Sequence, residues 1–162
     1  MKTSTSREAI KAILSLFLAF FCLFTADRVL ASDYDHYNPI EKDASSTGFE
    51  TLQHLNKDVC GWISLDGTKV DYPLLQSQDN VKYLDRNAFG DYTITGSIFL
   101  DYRFNPNFTD FNTIIYGHSM ASGAMFGEIK KFADKEFFDQ HRYGSIYYNG
   151  RERGLEIFGI LE

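Results

Sequence analysis

Short β-branched and aromatic runs, set apart by turn residues, fill most of the chain after Asp58. The stretch Asp58 to Leu65 is strand-like around Trp62 and Ile63, and Asp66-Gly67 is a strong two-residue hairpin signal. A returning strand is predicted from Thr68 to Tyr72, with Pro73 ending it or marking an edge. Further strands are predicted over Gly96 to Tyr102, Thr113 to Tyr116, Ser145 to Tyr148 and Gly154 to Leu161, the last two around the turn Asn149-Gly150. Helical spacing is rarer. Phe49, Leu52 and Leu55 predict a short amphipathic helix over Thr47 to Asn56. Gln78 to Asn87 predicts one or two turns bearing Val81 and Leu84. Met125 to Phe132 predicts a helix with Met125, Phe126, Ile129 and Phe132 on one face, and Asp134 is placed to N-cap another through Gln140. Strands joined mostly by short turns, with occasional helices, predict a mainly antiparallel β-barrel or sandwich and not a βαβ series.

The first residues follow a different pattern. Lys2, Arg7 and Lys11 precede an almost wholly apolar run from Ala12 to Ala26, and Val29-Leu30-Ala31 offers a tolerable cleavage site before Ser32. A bilayer span needs about 20 apolar residues. Residues 1–31 therefore read as a secretory signal peptide, with an uncleaved signal anchor as the alternative. Both send the remainder across a membrane. Residues 32–46 are polar and read as a linker, leaving 47–162 for the domain. Fifteen Phe and ten Tyr favour a β-rich core. A net charge of -6 argues against nucleic acid as a partner, which would call for a basic patch.

The chemistry centres on His118. It ends the run Asn112-Thr113-Ile114-Ile115-Tyr116-Gly117, at the mouth of a predicted strand. An unperturbed imidazole titrates at about pH 6.5, which suits general acid/base work. The bland alternative is a histidine that only closes a strand. Gly117-His118-Ser119-Met120-Ala121 also resembles a Gly-x-Ser-x-Gly nucleophile elbow, but that needs a preceding parallel sheet and a later acid and histidine. Only His141 follows, so Ser119 reads better as a loop hydroxyl than as the nucleophile of a serine hydrolase. Cys60 lies in an apolar strand and reads as a small buried hydrophobe, and Cys22 lies in the N-terminal run. His36 and His54 read as solvated. His118, His141 and an Asp lack metal-ligand spacing, so neither a metal nor a cofactor is expected.

Five segments in order carry a family resemblance. They are Asn56-Lys57-Asp58-Val59-Cys60-Gly61-Trp62-Ile63, Val70-Asp71-Tyr72-Pro73-Leu74-Leu75-Gln76-Ser77, and Asp79-Asn80-Val81-Lys82-Tyr83-Leu84. Gly96-Ser97-Ile98-Phe99-Leu100-Asp101-Tyr102-Arg103 and Asn112-Thr113-Ile114-Ile115-Tyr116-Gly117-His118 complete the series. Together they resemble the class B sortases. The resemblance implies an eight-stranded sortase β-barrel with an N-terminal helix, outside the membrane of a Gram-positive bacterium. It implies a cysteine transpeptidase that cuts an Asn-Pro-x-Thr sorting signal and passes the acyl group to an amine of peptidoglycan or a pilin. Of the implied His, Cys and Arg triad, His118 matches the histidine. Asn80, Leu84 and Tyr116 match positions that line the sorting-signal groove; without the resemblance they read as a helix cap, a core leucine and a strand aromatic.

The implied cysteine ends a later strand, in a Thr-Leu-Ser-Thr-Cys-like segment, and the arginine lies on the next. Neither segment is among these residues, and Arg142, Arg151 and Arg153 precede that region. The expectation is a partial sortase domain lacking its last strands, poorly stable and inactive alone. The competing expectation is a non-catalytic envelope protein that binds sorting-signal peptides.

Overall fold

The computed structural model describes residues 31–40 and 47–161. The N-terminal apolar run lies outside them, and no helix among the described residues is long and apolar enough to cross a membrane. The fold is mainly β. Helix α1 (Thr47–Leu55) leads into β1 (Val59–Leu65) and β2 (Asp71–Leu75); β3 (Ile98–Leu100) and β4 (Ile115–Tyr116) follow. Helix α2 (Lys135–His141) then precedes the hairpin of β5 (Tyr143–Tyr148) and β6 (Arg151–Glu156). One sheet runs β4-β3-β2-β1-β5-β6. Its pairings are antiparallel except β2 with β3, which are parallel and joined by the long excursion 76–97.

The core sits on the central strands. Trp62, Leu74, Leu75 and Ile98 are wholly buried, and α1 adds Phe49 and Leu52. Phe49 meets Tyr147 edge-on at 5.1 Å between centroids. Burying an aliphatic or aromatic side chain of this size contributes about 1.5–3 kcal/mol. Leu55, the third apolar position of that helix, is exposed instead. Part of the segment read as a linker packs on this core: Tyr34 is buried, and Asn38 Nδ2 donates to both carboxylate oxygens of Asp71. Asp71 Oδ1 also accepts from Trp62 Nε1 at 2.7 Å, so the largest core side chain has its polar atom satisfied.

Several local expectations fail for identifiable reasons. Pro73 neither ends β2 nor marks an edge; it lies inside a strand flanked on both sides. Leu65 N donates to Val70 O, so the alternation of the ladder puts the Pro73 position, opposite Trp62, at a non-hydrogen-bonded pair. Contact with β3 begins only at Leu74, so no neighbour needs the missing N–H. Asp66-Gly67 starts a wider loop than two residues, because Val70 is still pairing with Leu65 and β2 begins at Asp71. The helix predicted over Gln78 to Asn87 shrinks to one 3₁₀ turn, Lys82–Leu84. Asp79 Oδ1 takes the N–H groups of Val81 and Lys82, and the buried residue is Tyr83, not Val81 or Leu84. Met125 has φ 53, which breaks the helix predicted there; a 3₁₀ turn at Ile129–Ala133 remains, and Met125 and Phe132 are still buried. β6 ends at Glu156, short of Leu161. Asp134 caps α2 as predicted, accepting from Phe137 N at 2.9 Å.

The sheet curls. Strands β4 and β6 stand at opposite ends of the strand order, yet Ile115 of β4 and Ile146, Tyr148 and Leu155 of the β5–β6 hairpin line one groove. Phe108, before β4, packs at a tilt against Tyr148, 4.7 Å between ring centroids. This curvature agrees with the barrel-type expectation.

Candidate functional site

Strand β4 delivers His118 past its C-terminal end, and Nε2 lies 2.7 Å from the Leu84 carbonyl oxygen. A carbonyl only accepts, so Nε2 carries the proton and Nδ1 is the nitrogen left to gain one. The turn that carries the Leu84 carbonyl is anchored through its neighbours. The preceding residue, Tyr83, is fixed by its side chain, its hydroxyl donating to Asp58 Oδ2 at 2.8 Å and accepting from Asn56 Nδ2 at 2.9 Å. Lys82 Nζ joins the same Asp58 oxygen at 2.7 Å. Gly96 closes over this turn with φ 57, and a Cβ there would stand 2.6 Å from the carbonyl oxygens of both Tyr83 and Leu84. Only glycine permits that approach.

Asn80 and Tyr116 converge on a residue to which the sequence reading assigned no role. Asp101 follows β3 and is wholly buried. Its Oδ2 accepts from Asn80 Nδ2 (2.9 Å), Tyr116 Oη (3.0 Å) and Arg103 Nη2 (2.7 Å). Its Oδ1 accepts from Arg103 Nε (2.9 Å) and Arg103 N (3.0 Å). The Arg103 guanidinium, followed by these other donors, holds the carboxyl well below the usual carboxylate range against the opposing effect of burial. The same bond from Tyr116, with burial second, raises the phenol. An Asp directly after the apolar run Ile98-Phe99-Leu100, with Arg two residues on, was the signal available in the sequence. It marks a buried charge with its partner beside it.

The other candidates lie outside this cluster. Cys60 is largely buried in β1, its thiol set on the Leu74 carbonyl at 3.4 Å, and burial pushes it up to about 12. A thiol so raised is a poor nucleophile. Ser119 follows an antiparallel edge strand and bridges to Met125, so the strand-to-helix elbow that a serine hydrolase needs is not formed. His141 packs at the β1–β2 loop, where a Cβ on Gly67 would meet its ring, and lies tilted against Phe137. Among the described residues no three His, Cys, Asp or Glu side chains cluster as metal ligands.

No protein-family model matches the chain. Individual relatives do. Sortase B of Listeria monocytogenes is 42% identical over 129 residues, which is 75% of this chain and 52% of that protein. Sortase B of Staphylococcus aureus is 37% identical over 114 residues, 70% of this chain and 47% of that protein. A Bacillus anthracis crystal structure described as similar to sortase B superposes with TM-score 0.70 at 36% identity, over 83% of this chain and 70% of that one. The chain belongs to the sortase B family. It spans about half the length of the curated sortases B it matches. Against a second B. anthracis sortase B structure, in complex with AAEK1, the TM-score is 0.70 and the match covers 90% of this chain and 73% of that one.

Proposed function

We propose that this chain is the His118-bearing part of a class B sortase, a cysteine transpeptidase acting outside the membrane of a Gram-positive cell. Its substrate is a sorting signal of the Asn-Pro-x-Thr type, and its acceptor an amine of peptidoglycan or a pilin. The observation that carries this reading is a pair of contacts along β4 in a sortase B fold: His118 on the Leu84 carbonyl past its C-terminal end, and Asn80 with Tyr116 on Asp101 toward its start. In this reading His118 passes a proton to the amine leaving the scissile bond, while Asn80, Leu84 and Tyr116 bind the signal. The N-terminal run is a signal peptide or an anchor that brings the domain to the envelope. The required nucleophile is a cysteine after His118, and none of the 162 residues supplies it.

The polypeptide of these 162 residues is therefore expected to bind an Asn-Pro-x-Thr peptide without cutting it. Cleavage of a quenched fluorescent peptide by this polypeptide alone would overturn that expectation. Adding a second polypeptide that carries the cysteine and arginine strands of a class B sortase is expected to bring cleavage, and His118→Ala is expected to abolish it. Binding with no cleavage after that addition would instead favour a peptide-binding envelope protein.

A further inference from the structure

Asp101 is wholly buried and takes five hydrogen bonds from three separate segments: the turn at Asn80, the loop at Arg103, and β4 at Tyr116. Its own N–H donates to the Ile114 carbonyl, so the residue also ties the end of β3 to the start of β4. Every side-chain partner is a donor, which only the ionised carboxylate can satisfy in full. The consequence falls on the partners. Tyr116 spends its single proton on Asp101, so its oxygen is left as an acceptor. Asn80 spends one N–H on Asp101 and one lone pair on the N–H of Tyr102 at 3.1 Å, which fixes the orientation of the amide. It keeps one donor and one acceptor, the complement of a peptide or carboxamide group. Both residues are only partly buried and so reach the surface.

We propose that Asp101 is the positioning residue of the sorting-signal groove, orienting the Asn80 amide and the Tyr116 hydroxyl so that their remaining groups match a peptide. The inference rests on the sortase reading of Asn80 and Tyr116, and Asp101 acts through them without touching the peptide. Arg103 neutralises the charge and locks the carboxylate plane through its paired bonds.

The test uses the full 162-residue chain, a dye-labelled Asn-Pro-Ala-Thr peptide, and NMR of the Asn80 side-chain amide and the Tyr116 ring. In Asp101→Asn the peptide affinity is expected to fall at least tenfold. The Tyr116 phenol is expected to titrate at lower pH and the Asn80 amide signals to move. Adding Tyr116→Phe to Asp101→Asn should weaken binding by less than the two single losses combined. A folded Asp101→Asn that binds within twofold of the parent, with both signals unmoved, overturns the proposal. If Asp101→Asn does not fold, Arg103→Gln carries the test: its side chain is largely exposed, and the substitution removes two of the five bonds. The same directions of change are expected, and an unchanged affinity with unmoved Tyr116 and Asn80 signals overturns the proposal. If the parent chain binds no peptide, the sortase reading of the groove fails. The positioning role is then decided by the two NMR signals, supported if Asp101→Asn moves them and overturned if it does not.

Discussion

At the scale of single residues, buried charge sets the strongest constraint. The Asp101 carboxyl lies below its unfolded value of about 3.9, so its contribution to stability is full above that value. It is lost only as the pH falls through the folded value. The Asn80 and Tyr116 signals are therefore expected to stay constant from pH 7 to pH 4, and a transition within that range would contradict the depressed carboxyl. Trp62 makes a second residue-scale case. Trp62→Phe removes the donor to Asp71 Oδ1 and leaves a space in a wholly buried site. A loss of roughly 2–4 kcal/mol is expected by denaturant unfolding, from the combined cost of a cavity and an unmade hydrogen bond.

At the scale of elements, two glycines separate backbone strain from crowding. Asn149 and Gly150, at φ 49 and φ 72, form the two-residue turn between Tyr148 and Arg151, and a Cβ on Gly150 would meet nothing within 4 Å. Gly150→Ala should thus cost only the left-handed backbone term, about 1–2 kcal/mol, read as a fall in Tm. Gly96→Ala carries a similar term and a clash with the Tyr83 and Leu84 carbonyls. It should cost more, and should also shift the His118 ring signals because the acceptor of Nε2 is displaced. Equal costs for the two variants would mean that the 83–84 turn gives way freely.

At the scale of the whole molecule, the curled sheet stays open between β4 and β6, each paired on one side only among the described residues. Phe111 and Ile114 near β4, and Phe158 and Leu161 after β6, are exposed beside those edges. Unpaired edges flanked by apolar side chains template association. The polypeptide is expected to self-associate with rising concentration in light scattering, and Ile114→Lys is expected to reduce this by placing a charge next to the β4 edge. Concentration-independent scattering by the parent would rule out edge pairing as a liability here.

The order of elements, the mainly β class, the Asn149-Gly150 turn and the Asp134 cap were legible from the sequence by itself, because each rests on local chemistry: side-chain period, positive φ and a capping oxygen. The series of segments ending in His118 carried the family resemblance without any geometry. The helices predicted from Gln78 and from Met125 are 3₁₀ turns instead, because a local Asp79 turn and a left-handed Met125 outweighed the side-chain period. The place of Pro73 was decided by tertiary structure, through the phase of a ladder. The site divided the same way. His118 could be picked out as a residue type at the end of a strand, whereas for Asp101 the sequence signalled only a charge after an apolar run with Arg103 beside it. Its importance lies in gathering Asn80, Arg103 and Tyr116 across separations of up to 21 residues. Only the folded chain brings those donors to one carboxylate.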